Sequence, residues 1–261
     1  IGQWNDLGLL VGLLVLLIMV RTEFSAPSIV GRAAYLIGGA LLVVLLAIIN
    51  FSLVWGLLLG AAVVVGLVSF LSVRRVPVVP LVLAALSIVF LVYGTTLNAG
   101  LTQVFPVSSL EVRPSYGSTL DVINAARAGN IERLALGTGP NTFGQEWILH
   151  KPAGVNQSQF WNLDFNVGYS SLATFFGTVG LLGAIAWLIP VALLIAALLR
   201  AMRLSLLTRE DRTTAIAISA AALVLWVAVA LYVPSANLIL LAFVLAGAAF
   251  GFLWRQGQSA P

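Results

Sequence analysis

The sequence predicts an all-α membrane protein, a polytopic bundle of about seven spanning helices with one large extracytoplasmic loop containing short helices. Of its 261 residues, 61% are hydrophobic and only 8% are charged, against roughly 25% charged residues in an ordinary soluble domain. Several apolar segments reach the length of about 20 residues that an α-helix needs to cross a bilayer, and seven apolar runs in all are candidate spans. The alternating pattern of a membrane β-strand is absent from the sequence, and a helix satisfies its own backbone amides in lipid.

The apolar segments divide the chain into three parts. Residues 1–97 hold four predicted spans, residues 98–170 form the polar loop, and residues 171–261 hold three more spans. The junction at 50–52 is so short that it predicts a tight helical hairpin, and the glycines inside spans are expected to allow close helix packing. The predicted spans lie at 7–20, 33–49, 53–73, 76–97, 172–199, 213–233 and 236–254.

Basic residues predict which side of the membrane each connection faces, because short cytoplasmic connections carry an excess of Lys and Arg. If the spans alternate, nine arginines fall on one side and four basic residues on the other, all four in the long loop. We therefore expect the loop outside the cytoplasm, and the odd number of spans predicts further helices upstream. The nine are Arg21, Arg32, Arg74, Arg75, Arg200, Arg203, Arg209, Arg212 and Arg255, and the four are Arg113, Arg127, Arg133 and Lys151.

The residue types exclude several classes of function. The chain has no cysteine and one histidine, so neither a disulfide nor a zinc site is expected, and no cofactor is predicted. The basic residues follow the membrane edges instead of clustering on one polar domain, which argues against a nucleic acid partner. A transporter or lipid flippase remains an alternative, although the spans carry few ionisable residues near their middles. A non-catalytic envelope scaffold is a second alternative.

The long loop is rich in aromatic residues, which favours a folded cap on the membrane over a disordered tail. A capping box at Ser118 and Asp121 predicts a helix that ends near Ala128, with Gly129 as its stop signal. A second short helix is predicted from about Asn141 to Leu149.

The glycine-rich turn before that second helix is a candidate anion site. Gly137 and Gly139 can adopt positive φ and expose successive amides, and a helix that starts near Asn141 would add its positive end. The alternative interpretation is a tight turn before a helix. At the other end of the helix, His150 and Lys151 either cap the negative dipole or act as a general base and an anion clamp.

Two charged residues outside these helices are further candidates. Asp164 enters the bilayer boundary and needs a partner there, for which Arg113 and Lys151 are the candidates. Arg113 is itself suited to bind a phosphate through two parallel hydrogen bonds. The alternative is a surface salt bridge from Arg113 to Glu111 or Glu132.

Several motifs together resemble the O-antigen ligase and polymerase superfamily, and the similarity is strongest from about 108 to 185. They are the opening Gly2-Gln3-Trp4-Asn5-Asp6, the loop motif Glu111-Val112-Arg113-Pro114-Ser115, the turn from Gly137 to Phe143, the span start from Thr178 to Gly183, and Lys151-Pro152 with Asn156-Gln157 ahead of Phe160-Trp161-Asn162. Members of that superfamily use a large periplasmic loop to move a glycan from an undecaprenyl diphosphate carrier to an acceptor hydroxyl, without metal or nucleotide.

The resemblance implies a location in the bacterial cytoplasmic membrane and partners that are membrane lipids, the lipid-linked glycan and its acceptor. Ligase against polymerase, the sugar and the acceptor stay open. In the ligases a histidine of a His-Asn pair precedes the post-loop span, whereas here that place holds Trp161 and Asn162. The roles implied are diphosphate stabilisation by Arg113 and Lys151, proton acceptance by Asp164 or His150, contacts to substrate from Gly137, Gly139, Asn141 and Asn162, and stacking on sugar rings by Trp147 and Trp161.

Overall fold

A computed structural model gives the fold and describes residues 3–25, 27–73, 76–104, 112–157, 161–203 and 208–258. The regular structure in these ranges is helical throughout, as predicted. The helices are α1 Trp4–Phe24, α2 Ile29–Ile49, α3 Ser52–Val73, α4 Val78–Val104, α5 Tyr116–Arg127, α6 Ile131–Leu136, α7 Phe143–His150, α8 Ala153–Asn156, α9 Ser171–Thr178, α10 Gly180–Arg203, α11 Arg209–Leu231 and α12 Ala236–Gln258. Gly2, Arg74, Arg75, Glu111 and Phe160, which the sequence arguments used, lie outside the described residues.

Seven of these helices, α1 to α4 and α10 to α12, are long and apolar enough to cross a membrane. The predicted polytopic all-α bundle is therefore confirmed. At the short junction, Asn50 takes the left-handed conformation with φ 49° and donates its amide to the Leu46 carbonyl, so α3 begins two residues later. The two helices it connects pack mainly on others, α2 on α1 and α3 on α4.

The fifth predicted span, 172–199, is not one helix, so the prediction was wrong there. α9 ends at Thr178, and α10 begins at Gly180, whose φ is +69°. A Cβ atom at Gly180 would overlap the Ala135 carbonyl group, so only glycine allows this approach. The apolar pattern runs straight through the break, because residues on both sides of it are equally hydrophobic.

The chain divides into two compact units. Unit 1 comprises Ile1–Ser109, Leu193–Ala228 and Pro234–Pro261, and unit 2 comprises Leu110–Ala192 with Val229–Val233. Unit 2 thus contains the short helices α5 to α9, and it also takes in the first part of α10 and the end of α11.

Two carboxylates of unit 1 are bonded near helix ends, which limits the cost of placing them in a span. Asp6 is fully buried, and its Oδ2 accepts a hydrogen bond of 3.1 Å from the Ser235 amide just before α12. Ser69 donates to the Glu23 carboxylate, which joins α3 to the last turn of α1. Charged groups thus stay near the ends of these spans.

Unit 2 is built around the apolar side chains of α5 and α7. Val122, Ile123, Phe143 and Trp147 are all buried and form one cluster. Helix α5 starts earlier than predicted, because Ser115 is its N-cap and accepts a hydrogen bond of 3.0 Å from the Ser118 amide. Its predicted end is close to the observed one, since Ala128 (φ 46°) and Gly129 (φ 75°) are both left-handed.

Candidate functional site

The glycine-rich turn is bound to the break between α9 and α10. The Thr138 amide donates to the Gly177 carbonyl over 3.2 Å, and the Gly139 amide donates to the Thr178 carbonyl over 2.8 Å. Gly137 has a φ of +76°, and a Cβ atom there would overlap the Thr178 carbonyl group. The turn and the helix break therefore hold each other through backbone contacts that require glycine on both sides.

These contacts engage the amides that the expected anion site would use. The amide of Gly137 donates to the Arg133 carbonyl over 2.9 Å, so all three amides from Gly137 to Gly139 already have carbonyl partners. An anion would have to displace these bonds. Asn141, which is exposed with a φ of +62°, keeps its side chain at the surface and stays a candidate for contact with a substrate.

The C-terminal end of α7 presents His150 and Lys151. His150 Nε2 lies 3.4 Å from Glu146 Oε2, one helical turn earlier. Lys151 Nζ donates a hydrogen bond of 3.1 Å to the Trp161 carbonyl, which fixes the start of the segment that leads to Asp164. His150 thus faces a side chain of its own helix, whereas Lys151 contacts the segment that leads to Asp164.

The segment after Trp161 carries the remaining polar candidates. Asn162 and Asp164 are both exposed, and the Trp161 side chain is 61% exposed. Within the described residues, no ion pair joins Asp164 to Arg113 or Lys151, so the partner expected from the sequence is not observed. The Asp164 carboxylate is exposed at the surface of the loop.

Trp147 lies in the interior, contrary to its expected role as a sugar platform. It is 1% exposed, and its ring packs edge-on against Phe165 at 5.1 Å and along Phe143 at 6.4 Å between ring centroids. Both neighbours cover the surface that a sugar would need. The hydrophobic core of unit 2 needs a large side chain at this position, which the sequence alone could not distinguish from a binding residue. Trp161 remains available for stacking.

Arg113 lies against an aromatic ring that sequence reasoning missed. Its guanidinium carbon is 3.7 Å from the centroid of the Tyr232 ring, within the distance of a cation–π interaction. Tyr232 directly follows α11, and its carbonyl accepts hydrogen bonds from the amide and the hydroxyl of Ser171, at 3.3 and 3.0 Å. The available signal was an aromatic residue at the end of an apolar run, which is typical of a membrane boundary.

A second arginine, Arg127, is buried and structural. Its Nη2 donates to the Phe176 carbonyl over 2.5 Å, and its guanidinium carbon lies 3.7 Å from the centroid of the Phe176 ring. Burial lowers the pKa of Arg127 from its ordinary value, although an arginine stays charged at neutral pH. A positive charge near the C-terminal end of α9 stabilises carbonyls that the helix break leaves without helical partners.

The described part of unit 2 therefore offers a cation on an aromatic ring, a basic pair at the end of α7, and an exposed carboxylate. Among the residues described, no group of three or more His, Cys, Asp and Glu side chains could hold a metal ion. Such a set of groups can bind an anion and accept a proton. Comparison with protein-family models, with curated proteins and with solved structures finds no match.

Proposed function

We propose that this protein transfers a glycan from an undecaprenyl-diphosphate-linked donor to an acceptor at the outer face of the bacterial cytoplasmic membrane. The observation that carries the proposal is the position of Arg113 against Tyr232, immediately after the spanning helix α11. A lipid-linked donor keeps its hydrocarbon in the bilayer and its diphosphate at the boundary. A cation held next to the end of a span therefore meets the diphosphate at the right depth.

Arg113 is suited to stabilise the leaving group. A guanidinium that stacks by its face donates hydrogen bonds in its own plane, which is the geometry for bidentate contact with a phosphate. As the bond between the sugar and the diphosphate oxygen breaks, its electron pair leaves with that oxygen. Cations fixed in advance at this position stabilise the transition state more than the ground state. Lys151, tied to the Trp161 carbonyl, is our candidate for a second cation.

The acceptor hydroxyl must lose a proton as its oxygen bonds to the sugar carbon. Asp164 is our first candidate for the base, because it is an exposed carboxylate in the segment that Lys151 holds. His150 is the second, because the adjacent Glu146 carboxylate can orient its imidazole ring. Trp161, Asn162 and Asn141 would then contact the sugars from exposed positions.

The test is glycan transfer by the purified chain in liposomes, with a radiolabelled glycan on a lipid diphosphate as donor. We expect Arg113→Ala to lower the rate of product formation about 100-fold or more, as removal of a charge-stabilising donor does in other enzymes. The matched control is Arg133→Ala, which removes an arginine of the same loop whose guanidinium is bonded to the Ala126 carbonyl.

Three results would overturn the proposal. Equal transfer rates for the Arg113 and Arg133 variants would remove Arg113 from the reaction. Movement of an intact donor across the liposome membrane, with no product formed, would favour the flippase alternative. Loss of a protein contact on deletion of the loop, with glycan assembly unchanged, would favour the scaffold.

A further inference from the structure

We propose that a groove in unit 1 binds one hydrocarbon chain of an anionic phospholipid. The groove has a volume of about 230 Å³ and lies between the spanning helices α1, α3, α10 and α11. Its lining consists of apolar side chains and glycines only. A lipid hydrocarbon chain fits such a lining at membrane depth, because it carries no polar group that would be left without a partner.

Two glycines of α3 create the groove. Gly56 and Gly60 lie one turn apart on its wall, and a Cβ atom at either position would meet no other atom within 4 Å. Glycines at this spacing usually let two helices approach closely, and the sequence predicts that role for them. Here they leave space that no described side chain fills.

The charged end of the groove is fixed by backbone contacts. Phe24 and Met202 line the groove, and Phe24 lies at the same end as Val68 because Glu23 and Ser69 are hydrogen-bonded. Arg209 Nε donates to the Phe24 carbonyl, and Arg212 Nη2 donates to the Met202 carbonyl, both over 2.8 Å. Two guanidinium groups are therefore held at the point where the hydrocarbon lining ends.

The guanidinium donors at this end favour an anionic headgroup. Arg212 Nε is buried and has no hydrogen-bond partner among the described residues, so a donor is present without an acceptor. The nearby carboxylates are already bonded. Glu210 pairs with Arg21 over 2.8 Å, Glu23 accepts from Ser69, and Asp211 accepts from Thr208 over 2.7 Å. Arg209 Nη2 also donates to the Ser25 carbonyl over 3.3 Å, so a phosphate above the groove would accept from the guanidinium nitrogens of Arg212 and Arg209 that have no carbonyl partner. Its hydrocarbon chain would lie along Gly56 and Gly60.

The test measures lipid retention by mass spectrometry of the intact protein after reconstitution with equal amounts of phosphatidylglycerol and phosphatidylcholine. Gly60→Leu fills the groove, and Gly247→Leu is the matched control, because a Cβ atom at Gly247 on α12 also meets nothing within 4 Å. We expect Gly60→Leu to lower phosphatidylglycerol retention about tenfold and Gly247→Leu to leave it unchanged.

Substitutions of Arg212 test whether the site prefers an anionic headgroup. Arg212→Gln should abolish the preference for phosphatidylglycerol over phosphatidylcholine, and Arg212→Lys should keep most of it. Helical content measured by circular dichroism identifies any variant that has not folded. If Arg212→Gln has not folded, Arg209→Gln takes its place in the test. Equal retention of both lipids by the wild-type protein, or unchanged retention by Gly60→Leu, would overturn the proposal. This lipid site does not depend on glycan transfer.

Discussion

Trp55 in unit 1 and Trp147 in unit 2 are both fully buried, but the sequence predicts burial in the protein much better for Trp147 than for Trp55. Trp55 lies in a spanning helix and stacks on Phe90 with ring centroids 4.4 Å apart. Trp147 lies in a polar loop, where an apolar side chain has to leave water to be stabilised. Apolarity therefore predicts burial in protein only in unit 2, because in unit 1 the bilayer is an equally good environment.

Two spanning helices of unit 1 also show that hydropathy does not predict burial in the protein. α1 and α2 have nearly equal mean hydropathies, 2.2 and 2.3, but 56% of the apolar stretch of α1 is buried in the protein against 17% of that of α2. The buried Asp6 distinguishes α1, since a carboxylate in a span needs a protein partner and finds one in the Ser235 amide. A single polar residue in a span thus predicts which helix is buried in the protein better than the apolar residues around it.

The largest effect we expect is in cysteine labelling that reports which side of the membrane the long loop faces. The chain lacks cysteine, so single cysteines can be introduced without further changes. With an extracytoplasmic loop, a membrane-impermeant maleimide should label Gln145→Cys in intact cells almost completely and Arg32→Cys only after lysis. Both positions are exposed, so folding should be unaffected. Labelling of Arg32→Cys in intact cells, with Gln145→Cys protected, would reverse the proposed topology and remove glycan transfer with it.

The next effect compares two tryptophans of unit 2. Trp147→Ala should destabilise the unit by about 3–5 kcal/mol, because it leaves a cavity between α5 and α7. Trp161→Ala, at a side chain that is 61% exposed, should change stability by less than about 0.5 kcal/mol. Hydrogen exchange of the α5 and α7 amides in detergent measures both. A Trp161 variant that is as destabilised as the Trp147 variant would contradict the assignment of the core.

Much of the fold could be predicted, because span length and hydropathy alone define the long helices. The start of α5 was placed three residues late, since Ser115 and Ser118 are equally good caps by residue type and only the Ser115 hydroxyl receives the amide. The amides that the expected anion site would use have partners that local sequence does not indicate. The amides from Gly137 to Gly139 are bonded in part to carbonyls of residues 177 and 178, some 40 positions later in the chain.

The candidate site was less predictable than the fold. Arg113 was identified by residue type, but its contact with Tyr232 depends on the end of a span that is remote in sequence. Asp164 was expected to need a cation, whereas the described structure leaves it exposed without an ion pair to Arg113 or Lys151. Local sequence patterns thus identify side chains that could bind an anion or accept a proton. The contacts between distant segments decide which of them meet.

The smallest effect tests the backbone contact between the glycine turn and the helix break. Gly180→Ala should destabilise unit 2 by at least about 2 kcal/mol, because a φ of +69° costs an ordinary residue about 1–2 kcal/mol and its Cβ atom would also overlap the Ala135 carbonyl. The matched control is Gly251→Ala on α12, where a Cβ atom meets nothing within 4 Å. Alanine there should be neutral or stabilising by up to about 1 kcal/mol, since glycine is a poor helix former. Melting temperatures of the two variants in detergent give the comparison. If Gly180→Ala melted at the wild-type temperature, α9 and α10 would form one continuous helix, as the apolar pattern predicts.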